Sequence, residues 1–357
     1  MADAPVTLRD IAQRSGVSIG TVSRVLNQRA DVNAALRQRV LAAASALNYV
    51  GPAGQSTPHA SGRALKRVAF LLALTSAVES PPTVDPFWAD ILHGVETVAR
   101  LIDCQVHFRT VVPDEDDAVL IRSLGEAHLG GVLLVGAAAP SLVAALARQP
   151  MPCVLVDHRL PGQAYDAVLS DDFGGMALAI QHLLARGHRQ IAFLGGAASS
   201  DVSANEYFYT VEQRLAAYRH TVLSAGVVLD PALHVPCVPN VAGGEAACRA
   251  LLAQGHSFSA LACANDKTAI GALKALHAAG LRVPLDVSLV GFDDGELAAH
   301  TIPALTTVRV DAVGVGATAL RVLAARANEA TPIPVTTTLS VTLTERASVR
   351  DLTLRGA

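Results

Sequence analysis

The sequence lacks the marks of several common protein classes. Its five cysteines, Cys104, Cys153, Cys237, Cys248 and Cys263, are odd in number and form no CxxC pair, which argues against a disulfide framework or a structural zinc site and for a reducing compartment. No uncharged apolar run is long enough to span a bilayer, and no basic flank precedes an apolar stretch at the N-terminus, so neither a membrane partner nor a secretory signal is expected. Gly195-Gly196 follows an apolar run but lacks the GxGxxG and P-loop spacings that cradle phosphates, and HExxH is missing, so no cofactor, metal or catalytic residue is expected. Aromatics amount to 4% and Trp88 is the single tryptophan. Charged residues reach only 17%, against 51% hydrophobic ones, which supplies ample core for the two or three folded units expected of 357 residues.

The charge that is present is unevenly spread. Residues 1–67 carry nine basic residues against three acidic ones, a net +6, and the rest carries 19 against 28, a net −9. A basic head on an acidic body fits a small phosphate-binding module joined to something with another task.

The head reads as three short helices over 1–50. Thr7 can cap the first, with Asp10 bonding back, and Gly16 stops it. Ser18 can cap a second helix whose apolar face holds Val22, Val25 and Leu26, and Asn33 a third with Leu36, Val40, Ala43 and Leu47. The tight Gly-Val-Ser turn sets the first two at a steep angle, the arrangement in which a second helix enters a major groove by its N-terminus. The candidate DNA-contacting residues are Thr7, Ser18, Ile19, Gly20, Thr21, Ser23, Arg24, Asn27, Asn33 and Tyr49. Small hydroxyls suit phosphates, Arg24 can pair with a guanine edge, and Ile19 can touch a thymine methyl; Gly20 offers no side chain and so reads one base fewer. The competing reading is a three-helix cap that only packs on the body.

The ungapped run from Val6 to Asn27, VTLRDIAQRSGVSIGTVSRVLN, resembles the headpiece of the LacI–GalR family of bacterial regulators, and Leu47-Asn48-Tyr49 ends the third helix in the same manner. The resemblance implies a cytoplasmic homodimer that binds a palindromic double-stranded operator and answers to a small molecule, usually a sugar or nucleobase. The family follows Asn-Tyr with a short helix that wedges a Leu into the minor groove. Here Val50-Gly-Pro-Ala-Gly, Pro58 and Gly62 interrupt a linker over 51–66, so a full hinge helix is not expected. Leu65 is the one wedge candidate, or else packs against the body while Arg63, Lys66 and Arg67 touch phosphates.

Beyond the linker the pattern becomes α/β. Apolar runs at 68–74, 132–135, 153–156, 191–194, 260–263 and 288–290 read as buried strands, separated by helical stretches at 86–102, 141–148, 174–186, 211–225, 244–254 and 268–279. Asp85-Pro-Phe-Trp88, Arg186-Gly-His-Arg189, Ala264-Asn-Asp266, Val290-Gly-Phe-Asp-Asp294 and Pro303-Ala-Leu-Thr-Thr-Val308 resemble the family's body. The resemblance implies a periplasmic-binding-protein-like type I body over 67–346, with one subdomain at about 67–165 and 298–330, the other at about 166–297 and 331–346, and a tail at 347–357.

In open α/β sheets ligands bind outside the carboxyl ends of strands. The effector candidates there are Asp85, Phe87, Trp88, Asp157, Arg159, Asn265, Asp266 and Asp293, with Arg214 and the role of Asp266 carried over from the resemblance. Carboxylates accept from vicinal hydroxyls, Arg donates in a fixed fork, and an aromatic covers a sugar's C–H face, so a polar effector, a sugar or sugar derivative, is expected. Phe87 and Trp88 also fit a core, Asp85 and Asp266 also fit helix caps, Asp157-His158-Arg159 also fits a surface turn, and Asn205–Thr210 fits either a cleft mouth or a loop packed on itself. A nucleobase or other metabolite is the alternative effector; a transport-type sugar-binding protein or an α/β enzyme with a structural N-terminal cap is the alternative function, and the headpiece speaks against both.

Overall fold

The computed structural model describes residues 7–26, 36, 39, 40, 43, 65–74, 85–113, 115–196, 208–327 and 333–353. Residues 1–64 and 65–357 form two separate compact units.

In the first unit, α1 (Leu8–Ser15) and α2 (Ile19–Leu26) follow the sequence expectation. The Asp10 carboxylate accepts the Thr7 amide at 2.7 Å, closing the start of α1. Gly16 ends it at φ +67°, a left-handed conformation that costs a side-chain-bearing residue energy. The Ser18 hydroxyl accepts the Thr21 amide at 3.1 Å and so caps α2. Ile11, Ala12, Val22 and Val25 are buried together with Val40 and Ala43, two of the four described positions of the third helical stretch. A buried core of this size, with Arg39 donating to the Ser15 carbonyl at 2.7 Å, holds the angle of the turn.

The second unit holds two six-stranded sheets. The elements in chain order are β1 (Arg67–Ala73), α3 (Pro86–Leu101), β2 (Gln105–Val111), α4 (Asp117–Glu126), β3 (Gly131–Val135), α5 (Pro140–Ala147), β4 (Cys153–Val156), β5 (Asp166–Ser170) and α6 (Asp172–Ala185). They continue with β6 (Ile191–Leu194), α7 (Tyr209–Ser224), β7 (His234–Val235), α8 (Val241–Ala253), β8 (Ala260–Cys263), α9 (Asp266–Ala278), β9 (Ser288–Asp293) and α10 (Glu296–His300). Last come β10 (Thr306–Arg309), α11 (Ala312–Arg326), β11 (Thr336–Leu339) and β12 (Thr342–Thr344). Lobe 1 is built on the sheet β11-β5-β4-β3-β1-β2, all parallel. Lobe 2 is built on β12-β10-β9-β8-β6-β7, parallel except where β12 runs against β10.

Both faces of each sheet are covered, which is why β3, β4, β6 and β8 are apolar at every position rather than at every second one. Along β1, Val68, Phe70 and Leu72 enter one core and Ala69 and Leu71 another. Helix pairs seal these faces at glycine contacts. A Cβ on Gly94 of α3 would lie 2.0 Å from the Val313 carbonyl oxygen, and one on Gly316 of α11 would lie 1.9 Å from that of Ile91. Lobe 2 repeats the device with Gly244 of α8 against Thr268 and Gly271 of α9 against Val241.

Three boundaries differ from the sequence expectation. The chain crosses between lobes after Ser170, after Arg309 and after Leu339, because β5 and β11 pair with each other in lobe 1 while β10 sits between β9 and β12 in lobe 2. The expected crossings near 165, 297 and 330 divided these strands wrongly. Leu65 and Lys66 belong to the body rather than to a linker ending at 66. Leu65 is 8% exposed within the core of lobe 1, and Lys66 pairs with Asp103 at 2.7 Å. Residues 347–352 are no free tail: Ser348 is buried, its hydroxyl donates to the Leu289 carbonyl at 2.6 Å, and the Leu352 amide reaches the Arg186 carbonyl at 2.8 Å.

Candidate functional site

In the headpiece, Thr7, Ser18, Ile19, Gly20 and Arg24 are exposed and Thr21 is half-buried. Ile19 leaves 43% of its surface in water at the first turn of α2, where an apolar side chain gains nothing from solvent. Ser18 and Thr21 share a hydroxyl contact of 2.9 Å, and the Arg24 Nε donates back to the Gly20 carbonyl at 3.2 Å. Ser23 lies on the same helix. Asn27, Asn33 and Tyr49 fall outside the described residues.

In the body, side chains at the carboxyl ends of strands from both sheets come together in a buried polar cluster. Arg214, on α7, is 3% exposed. Its Nε donates to Asp172 Oδ1 at 2.9 Å, its Nη2 approaches the same oxygen at 2.8 Å, and its Nη1 donates to the Ala264 carbonyl at 2.7 Å and lies 3.4 Å from Asp293 Oδ1. The guanidinium also stacks over the Phe292 ring, 3.7 Å from its centroid. Asp172 opens α6 and is 3% exposed, and its Oδ2 is enclosed without a hydrogen-bond partner.

Asp157, at the end of β4, adds a carboxylate from lobe 1. Burial drives its pKa up, and the Asp172 charge drives it further. Burial likewise raises Asp293 to about 7 against the pull of Arg214, and raises Asp172. Asp157 and Asp293 hold φ of +56° and +107°, so the fold tolerates backbone strain to present these two side chains. Neither ring nitrogen of buried His158 reaches hydrogen-bonding geometry, although the Ala138 backbone slightly opposes the burial that pulls its pKa down to about 4.

The other candidates divide. Asp266, 5% exposed, keeps both oxygens inside lobe 2: Oδ1 accepts the Thr307 hydroxyl at 2.5 Å and Oδ2 the Gly295 amide at 2.9 Å. Burial and then the Asp293 charge raise it to about 8. Asn265 caps α9, accepting from the Thr268 amide at 2.9 Å and donating to the Pro239 carbonyl at 3.0 Å. Asp85 caps α3, accepting the Phe87 amide at 3.2 Å, and also pairs across the cleft with Lys267 at the start of α9. Phe87 and Trp88 meet edge to face at 5.0 Å and are half-buried against the lobe 1 core; the Trp88 ring lies 3.6 Å from where a Gly136 Cβ would stand. Arg159 is half-buried beside Asp157. Of the aromatic stretch 205–210, residues 205–207 lie outside the described residues, and Tyr209 opens α7.

Sequence reasoning missed Asp172 and Lys267. Asp171-Asp172 after an apolar run was the available signal for the first, since Asp171 accepts the Gly174 amide and caps the helix, leaving Asp172 free for Arg214. No metal-binding cluster of His, Cys, Asp or Glu is found among the described residues, nor a helix long and apolar enough to cross a membrane.

Residues 7–51 match the family model for bacterial regulatory proteins of the lacI family, and residues 180–349 match that for a periplasmic binding protein-like domain. The transcriptional regulator GalR of Escherichia coli is 31% identical over 98% of both chains, and the repressor PurR of Erwinia tasmaniensis 29% over 97% of both. Among solved structures, a complex of the transcriptional regulator CelR with cellobiose is 31% identical, with a TM-score of 0.70 over 96% of this chain and 99% of that one. The lac repressor dimer bound to operator and the anti-inducer ONPF is 26% identical, with a TM-score of 0.67 over 97% and 100%. These relatives are transcriptional regulators rather than enzymes. With headpiece, body and near full-length identity in agreement, this chain belongs to the lacI family of bacterial regulatory proteins, DNA-binding transcriptional regulators with an effector-binding body.

Proposed function

We propose that this protein is a cytoplasmic repressor, not an enzyme, that binds a two-fold-symmetric operator as a homodimer and releases or grips it according to a sugar or sugar derivative held between its lobes. The observation that carries the effector reading is the buried fork of Arg214 set between Asp172 and Asp293 at the strand ends. A polyol offers the paired donors and acceptors that such a floor can match, and Trp88 offers a flat apolar wall. CelR with cellobiose supports a sugar, and the operator-bound lac repressor dimer supports the symmetry. An apolar groove of about 600 Å³ along α9, where Ile302 is 92% exposed beside Leu273 and Leu281, gives a second copy a surface to cover.

Arg214, Asp293, Asp157, Phe87, Trp88 and Arg159 are assigned to the effector. Asp266 and Asn265, whose side chains are engaged inside lobe 2, act by holding the start of α9 and the loop at Gly295. Asp85 acts with Lys267 at the mouth. Thr7, Ser18, Ile19, Gly20, Thr21, Ser23 and Arg24, with Asn27, Asn33 and Tyr49, are assigned to DNA.

The test is selection of a binding sequence from random duplex DNA, followed by release assays with sugars, polyols and nucleobases. A palindromic consensus is expected, and Arg24→Ala should cost about 1–3 kcal/mol and relax one position per half-site. Release by a sugar should vanish in Arg214→Lys, which keeps the charge but loses the fork. An asymmetric consensus, or release untouched by Arg214→Lys, would sink the reading.

A further inference from the structure

We propose that Asp172 and Asp157 make the cleft floor a charge filter, one that admits effectors presenting hydroxyl or ammonium donors and turns away phosphorylated or carboxylated ones. The inference rests on the reading of the cleft as the effector site and adds a class of ligand to it.

Arg214 is the cation that would otherwise draw an anion inward, and most of its five donors are already engaged. Nε and Nη2 serve Asp172, and Nη1 serves the Ala264 carbonyl beside Asp293. Two carboxylates neutralise this guanidinium before any ligand arrives, and Asp157 stands as a third within electrostatic range of all of them. The nearby cations do not redress the balance. Lys267 is held by Asp85, burial keeps His158 neutral, and Arg159, half-buried beside Asp157, sets one charge against that third carboxylate only. The floor also has an acceptor in need of a donor: Asp172 Oδ2 is enclosed, on a residue 3% exposed, with no hydrogen-bond partner. A buried acceptor without a donor is costly, so a ligand O–H or N–H that reaches it when the lobes part supplies the missing bond, whereas a phosphate oxygen would add repulsion. Burial raises Asp157 and takes Asp293 to about 7, and an ammonium group favours the ionised form of each where an anion disfavours it, so the floor draws a cationic donor and gives an anion no attraction.

The test can be run with simple anions as probes. Trp88, the only tryptophan, stands at the cleft and reports binding by its fluorescence. The full chain is titrated with inorganic phosphate and with glucose 6-phosphate, alone and in the Asp157→Asn/Asp172→Asn double variant. The parent should show no saturable response at about 1 mM, and the double variant should bind phosphate about tenfold or more tightly than the parent, because Arg214 is then left with Asp293 alone. Asp157→Asn by itself leaves the Arg214 contacts in place and should move affinity in the same direction, which keeps the test valid if the double variant folds poorly. Saturable millimolar phosphate binding by the parent, or no gain in both variants, overturns the filter. If no sugar releases the operator yet the variants gain phosphate binding, the sugar reading falls and the filter stands.

Discussion

The two lobes share a sheet plan but meet the cleft in opposite ways. Lobe 2 presents Arg214, Asp172 and Asp266, each 5% exposed or less and each hydrogen-bonded within the lobe. Lobe 1 presents Asp85, Phe87, Trp88 and Asp157, all half-buried, and its described charged contact with lobe 2 at the cleft mouth is the exposed Asp85–Lys267 pair. If the effector binds as proposed, lobe 2 is the preorganised side and lobe 1 the side left to adjust to it. Preorganisation on one side limits the ordering cost of binding, and weak attachment on the other leaves a hinge that a ligand can bias.

The largest effect that separates the lobes should come from Arg214→Ala. It strands two carboxylates in the interior and is expected to destabilise the body by about 3–5 kcal/mol in urea unfolding; a loss below about 1 kcal/mol would show that the cluster is wetter and less committed than its burial implies. Next come the glycine contacts. Gly316→Ala in lobe 1 and Gly271→Ala in lobe 2 each force a methyl into a carbonyl, and each should cost about 1–3 kcal/mol or more, equally in the two lobes if the packing is as alike as it is built.

A pH titration sharpens the contrast further. Asp293 has its folded pKa raised to about 7 from a usual carboxylate value near 3.8, so the native state holds a proton that the unfolded chain has lost. Its contribution is fully present below about pH 4 and is lost as pH rises toward 7. In Asp293→Asn the fall in stability across that interval should be shallower than in the parent; an unchanged slope would remove Asp293 as its source. The smallest effect belongs to Asp85 and Lys267. A double-mutant cycle on this half-exposed pair should give a coupling of about 0–1 kcal/mol, falling with added salt. A coupling well above that would turn the mouth into a lock and reverse the view of lobe 1 as loosely held.

The sequence disclosed the parts of this architecture that are apolar throughout. The six strands read as unbroken apolar runs lie within a residue or so of their expected places, apart from β9, which runs on to Asp293. Of the six missed strands, β5 (DAVLS) and β10 (TTVR) are buried but broken by polar residues, while β2, with His107 and Arg109 in it, β7, β11 and β12 are sheet edges with much of their surface in water. Such edge strands bury too little to imprint a pattern. Helix α11 escaped because Gly314 and Gly316 lower its intrinsic helicity, and the value of Gly316 lies in a contact with Ile91 some 220 residues earlier in the chain, which no local window contains. At the cleft, residue types and strand ends pointed to Asp157 and Asp293, and the family motif to Arg214. Asp172 and Lys267 are set by pairings across 42 and 182 residues, and those are properties of the fold.

The pairing of β5 with β11 bears on how the protein is made. Lobe 1 lacks its last strand until residues 336–339 have been synthesised, although β5 was finished at Ser170. At about 5–20 residues per second, roughly 8–30 s of translation separate the two. Throughout that interval the β5 edge stays open beside a growing lobe 2 that is itself complete only with β12. Neither lobe can be excised as one continuous segment, and a ribosome that stalls anywhere between 171 and 335 leaves a nascent chain with both sheets unfinished and their edges exposed to chaperones, proteases and other copies.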